Sequence, residues 1–231
     1  MRLNYGVGSG AIFSEDVLAM MNRYGEMFDF DPNDIYPYSE RVMSIDPGYG
    51  ESHFAIVIVE YMPNTRNLRV VYAQQWGNID YDLALKTGED LITIYNPQNV
   101  YIDASQRGYI TTLKNRLGED TTEEYHKHME RQIKLMRDEI VKNGGKYKRV
   151  KYLEEFMRIV PISYNNQKKE MLSHTKTMCE IEGMVCVNKS KFPDLFLDLQ
   201  TARRHHQVLV KDDKTPQDLF EAFMSRISEE R

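Results

Sequence analysis

Cysteine is scarce in the 231 residues. The only two, Cys179 and Cys186, stand among apolar neighbours with no Cys or His at zinc-binding spacing. That excludes a disulfide framework and a thiolate metal centre, and it reads as two core thiols of a reducing compartment. No apolar run approaches the roughly 20 residues needed to span a bilayer. Met1-Arg2-Leu3-Asn4 opens the sequence without the apolar segment of a secretory signal, so no membrane role is expected. Positive charge is not in excess either: Lys+Arg 30 against Asp+Glu 35 gives a formal net charge of −5. Coating nucleic acid by bulk charge is therefore disfavoured, although an acidic site that holds divalent cations would still attract phosphate. Repeats and low-complexity tracts are missing, and so is Gly-x-x-x-x-Gly-Lys-Ser/Thr. Gly6, Gly8 and Gly10 follow no strand and lead to no Gly-Lys, which leaves them a poor phosphate cradle.

What is present is an ordinary globular composition, 41% apolar and 28% charged, long enough for one domain or one domain with an insertion. Residues 1–40 read as a peripheral lead-in: an amphipathic segment from Asp16 to Tyr24, then breaks at Asp31-Pro32 and Tyr36-Pro37. From Arg41 three segments rich in Val, Ile and aromatic residues follow, Arg41 to Ile45, His53 to Tyr61 and Leu68 to Trp76. Separated by turn residues, they predict an antiparallel meander. Helical spacing then covers Asp80 to Tyr95, a short strand Val100 to Asp103, and a helix the residues after Gly108 to Leu117. Glu119 to Glu155 is charge-dense with a break at Gly144-Gly145 and is expected to be a helical insertion. Beyond it the pattern alternates: strand Arg158 to Tyr164, helix Gln167 to Glu182 ended by Gly183, strand Met184 to Val187, helix Phe192 to Arg204, strand Gln207 to Lys211. A final helix opens at Thr215-Pro216. The order describes an α/β fold with a mixed sheet flanked by helices, that of an RNase H-like domain.

Three acids sit at positions where such a sheet collects ligands. Asp46 ends an apolar strand just before Pro47-Gly48, and Asp103 ends Val100-Tyr101-Ile102 before Ala104-Ser105. If those strands are parallel neighbours, the two acids meet. Asp218 lies in the first turn of the last helix. Carboxylates so close raise one another's pKa unless a cation offsets the charge, and Mg²⁺ or Mn²⁺ takes such oxygen ligands. Two such ions can activate water and stabilise the leaving oxygen of a phosphodiester. Each acid also has an ordinary role, as a turn former after a strand or as a favourable charge at a helix start.

Ser44-Ile45-Asp46-Pro47-Gly48, Tyr101-Ile102-Asp103-Ala104-Ser105 with Gly108, and Gln217-Asp218-Leu219-Phe220-Glu221-Ala222 resemble the three acidic motifs of terminase large subunit nucleases. Val160 to Tyr164 with Lys168-Lys169-Glu170-Met171, then Glu182 to Val187, is similar to that family's strand, lysine-bearing helix and glycine turn. Tyr5 to Ser14 resembles the segment that leaves its ATPase domain. Two departures stand out: Asp103 where relatives can carry Glu, and Gln217 in place of the His or Asp that often precedes the third acid.

The resemblance implies a metal-dependent endonuclease of 41–231 that cuts concatemeric double-stranded viral DNA during genome packaging. Residues 1–40 would lead in from an ATPase domain of a longer chain. Asp46, Asp103 and Asp218 would be catalytic and hold two Mg²⁺ or Mn²⁺ ions, with Glu51 a further candidate ligand. Lys168, Lys169, Arg203 and Arg204 would contact the DNA backbone; for the lysines a solvated helix start is the ordinary alternative. Adjacent His205-His206 make a poor hard-metal site. Portal protein and the small terminase subunit are the implied partners, and the cytoplasm of the infected host, at the procapsid portal, the implied location. Another RNase H-like nuclease, such as a Holliday junction resolvase, would use the same acids on a branched substrate. A docking module coupling a motor to portal or DNA would not need them.

Overall fold

The meander forms as its turn chemistry predicts. β2 (Glu40–Pro47), β3 (His53–Met62) and β4 (Asn67–Gly77) pair antiparallel in succession. β3 is buried along nearly its whole length on both faces, which explains why it reads as a continuous apolar run and not as an alternation. The computed structural model describes residues 10–27, 39–48, 53–62, 64–118, 159–162, 164–205, 208–210 and 218–227. The segment 119–155, expected as an insertion, lies outside them.

After β4 the chain enters α2 (Tyr81–Tyr95), whose N-cap Asp80 accepts from the Leu83 amide and whose C-cap Asn96 is left-handed at φ 44°. Both caps satisfy backbone groups that a helix end leaves open. β5 (Asn99–Asp103) then inserts parallel to β2, α3 (Arg107–Leu117) follows, and β6 (Ile159–Ile162) adds parallel to β5. α4 (Tyr164–Glu180) leads to the two-residue β7 (Val185–Cys186), which pairs parallel with β4 at the far edge. The sheet order is β6-β5-β2-β3-β4-β7. α5 (Pro193–Thr201) and α6 (Asp218–Ile227) complete the described helices. This is the RNase H-like mixed sheet that the element order predicts.

Residues alternate between two cores. Met43, Ile45, Phe54, Ile56, Ile58, Val100 and Ile102 face α2 and α3. Ala55, Val57, Val59, Leu68 and Val70 face the opposite core with Phe220 and Phe223 of α6 and Leu195 and Leu199 of α5. Each fully buried side chain of this size contributes about 1.5–3 kcal/mol, so α6 is anchored by its apolar face across β2 and β3.

Three local expectations are corrected. Residues 10–27 are not peripheral: Ile12, Phe13, Leu18 and Met21 are buried in the second core, within and just before α1 (Glu15–Met27). α1 lies so close to the 187–188 backbone that a Cβ on Gly25 would collide with it, and Val187 donates to the Met21 carbonyl at 3.1 Å. The helix expected to run to Arg204 stops at Thr201, because Arg203–His205 forms β8, paired with both β1 (Gly10–Ala11) and β9 (Val208–Val210). That small sheet is separate from the main one. Tyr164, expected at a strand end, starts α4.

Candidate active site at the strand ends

The register places the first two acids. In the parallel ladder Ile45 sits opposite Ile102, so Asp46 and Asp103 each stand one residue further on, at the C-terminal ends of adjacent strands. Ile45 and Ile102 both belong to the α2/α3 core, and alternation turns Asp46 and Asp103 to the opposite face. There Asp46 pairs with Ala55, which pairs in turn with Gln75. Both acids are half-buried.

Asp103 keeps its turn-forming role, since one carboxylate oxygen accepts from the Ser105 amide at 3.0 Å. A carboxylate has about four lone-pair sites, so that bond leaves capacity for a cation. α6, opened by Asp218, packs over β2 and β3 on this face. Near its start the Phe220 amide donates to Asp198 Oδ2 at 3.4 Å. A half-buried, all-carboxylate donor set fits a hard divalent cation. Among the described residues no three His, Cys, Asp or Glu side chains converge as a metal site; the side chain of Asp218 and all of Glu51 lie outside them.

α4 begins immediately beyond β6, beside the strand end that carries Asp103. Its Lys168 ammonium lies 2.5 Å from Glu221 Oε1, with the two side chains 27% and 8% exposed. Glu221 is one helical turn from Asp218, hence on the same face of α6. In the sequence Glu221 is marked only by its i, i+3 spacing from Asp218. The exposed Lys169 makes no such pair among the described residues. Arg203 donates to the carbonyls of Gln200 and Ala202 at 2.8 and 3.1 Å, covering the C-terminal end of α5. Arg204 is placed only by its backbone, on β8.

On β4 the side-chain oxygen of Gln75 lies in the row of Ala55. It is buried and has no hydrogen-bond partner.

Cys179 and Cys186 are buried, as expected for core thiols. Burial pushes the Cys186 thiol up to about 12, against a downward pull from Arg69. Cys179 is raised by burial too.

No protein-family model matches this sequence, and no curated protein matches it. Solved structures do match in fold. The large terminase nuclease from thermophilic phage G20c aligns over 96% of this chain and 99% of its own, at TM-score 0.60 and 12% identity. The large terminase of bacteriophage HK97 aligns over 95% of this chain but 43% of its own, at 0.61 and 10%. The nuclease domain of the bacteriophage SPP1 large terminase, crystallised with bound Mn, aligns over 81% and 86%, at 0.50 and 12%. At these identities the likeness is one of fold: the chain has the fold of large terminase nucleases.

Proposed function

We propose that this chain is a divalent-metal-dependent endonuclease that cuts concatemeric double-stranded viral DNA during genome packaging, as the nuclease domain of a terminase large subunit. The observation that supports it most is the placement of Asp46 and Asp103 one residue beyond the Ile45–Ile102 pair of adjacent parallel strands, on the face covered by α6. Asp46, Asp103 and Asp218 would hold Mg²⁺ or Mn²⁺, two ions in all, with Glu51 a further candidate ligand. Manganese in the SPP1 domain of like fold supports the choice of metal. When bound, such ions polarise a phosphodiester and acidify a water.

The chain's own residues supply the positioning. Lys168, Lys169, Arg203 and Arg204 would neutralise backbone phosphates without reading bases. Partners would be double-stranded DNA, an ATPase domain of the same full-length chain, the portal protein and the small terminase subunit. The 43% coverage of the HK97 protein supports the longer chain. The place of action would be the host cytoplasm at the procapsid portal. No described helix is long and apolar enough to cross a membrane.

The test is plasmid cleavage in Mg²⁺ or Mn²⁺. Asp46→Asn, Asp103→Asn and Asp218→Asn should each slow it by about two orders of magnitude or more while leaving the metal-free melting temperature intact. Undiminished cleavage in excess EDTA would overturn the reading, and preference for four-way junctions over linear duplex would redirect it to a resolvase.

A further inference from the structure

The first N–H groups of a helix have no partner inside it, and Gln217, which precedes α6 in the sequence, is not of the residue types that usually cap them. Another helix supplies an acceptor. Asp198 stands on α5, 2% exposed among Leu195, Phe196 and Leu199, and its Oδ2 accepts from the Phe220 amide at 3.4 Å. Phe220 is the third residue of α6, a position whose amide an N-cap side chain ordinarily takes. A carboxylate is kept in an apolar core where fixed donors compensate its charge, and the positive end of a helix is such a place. That end of α6 lies toward the strand end that carries Asp103. Ile162 is the ladder partner of Asp103, α4 starts two residues later, and its Lys168 holds Glu221 at 2.5 Å, one helical turn from Asp218.

The geometry points to Asp198 as a positioning residue of the acid site: from α5 it holds the first turn of α6, and with it the backbone of Asp218, in the place from which Asp218 serves as a ligand. This rests on the metal-dependent reading above. One turn of helix is about 5.4 Å long, whereas metal–ligand distances tolerate about 0.2 Å. Opening of the first turn therefore removes Asp218 from the ligand set, while the rest of α6 stays packed through Phe223 and Met224. Groups that orient a ligand from behind typically contribute about 10–100-fold to metal affinity.

The test compares metal affinity with stability. Mn²⁺ binding is measured by titration calorimetry on the DNA-free protein for the parent, Asp198→Leu, Asp198→Asn, Leu85→Ala and Asp218→Asn, with melting temperatures taken in EDTA. Asp198→Leu, which keeps the buried volume and removes the acceptor, should weaken Mn²⁺ binding about tenfold or more. Asp198→Asn, which keeps an acceptor oxygen in the same shape, should bind close to the parent. Leu85→Ala opens the α2/α3 core on the other face of the sheet; it should lower the melting temperature and leave the affinity at the parent's value. Parent-like affinity in Asp198→Leu overturns the assignment. So does an equal loss in Leu85→Ala, which would mark the effect as general destabilisation, or in Asp198→Asn, which would assign it to charge and not to the cap. Asp218→Asn separates the two levels: if it binds Mn²⁺ like the parent, Asp218 is no ligand, and that part of the metal-site reading falls with the role of Asp198.

Discussion

Lys168→Met should destabilise the metal-free protein, and by an amount that the geometry bounds. The ammonium lies 2.5 Å from a carboxylate whose side chain is 8% exposed, while the lysine is 27% exposed. At that distance and an effective dielectric of about 20 the gross attraction is about 6–7 kcal/mol. Desolvation of the carboxylate offsets much of it. Breaking fully buried pairs costs about 3–5 kcal/mol, and the partial exposure of Lys168 brings the expected loss down to about 2–3. For a chain of this size that is a fall in melting temperature of about 4–12 °C, read by circular dichroism in EDTA. If Glu221 belongs to the acid site, saturating Mn²⁺ should narrow the gap to the parent, because the ion replaces the missing positive charge. A variant that melts within a degree of the parent would refute this account and leave the pairing with Glu221 of no energetic consequence.

Two further outcomes follow from buried groups away from the strand ends. Glu60 is fully buried between Arg41 and Arg69, with Arg41 Nε at 3.2 Å and Arg69 Nε at 2.5 Å from its two oxygens; Glu60→Gln should therefore cost about 3–5 kcal/mol in urea unfolding, and a loss under 1 kcal/mol would show that the arginines are held by other groups. Neither Cys179 nor Cys186 should react with a thiol reagent at pH 8 in the native protein, because burial raises Cys186 to about 12 and leaves about one thiolate in ten thousand; rapid modification without unfolding would contradict the burial of both.

The legible parts of this chain were those fixed by local pattern. Runs rich in Val, Ile and aromatic residues, punctuated by Pro47-Gly48 and Asn64, specify β2, β3 and β4, and Asp80 and Asn96 bracket α2 as capping residues do. Asp46 and Asp103 were visible as candidates because an acid that ends an apolar run is conspicuous whatever lies beside it. Their adjacency was not visible, since it depends on β5 inserting beside β2 and not beside β4, a long-range choice that periodicity does not encode. The burial of α1 was hidden for a similar reason: a short amphipathic helix looks the same whether it covers a distant core or none, and Gly25 gains meaning only where the 187–188 backbone meets it. β8 is hidden because Arg203-Arg204-His205 has no apolar spacing of its own; it is extended through pairing with β1 and β9.

The same ladder treats its buried and half-buried acids in opposite ways. At the end of the sheet where β2 begins, Glu60 has Arg41 as its neighbour on one side and Arg69 on the other, so the strands themselves neutralise it. At the end where β2 finishes, the neighbours of Asp46 are Ala55 on one strand and, one residue past the Ile45–Ile102 pair, Asp103 on the next. The ladder supplies no cation to that row; it sets one acid beside another. If a divalent cation offsets that repulsion, as the proposed function requires, Asp46→Asn should weaken Mn²⁺ binding measured by titration calorimetry on the DNA-free protein, because it removes a charged oxygen ligand that a hard cation needs; parent-like Mn²⁺ affinity in Asp46→Asn would refute a metal role for this sheet edge.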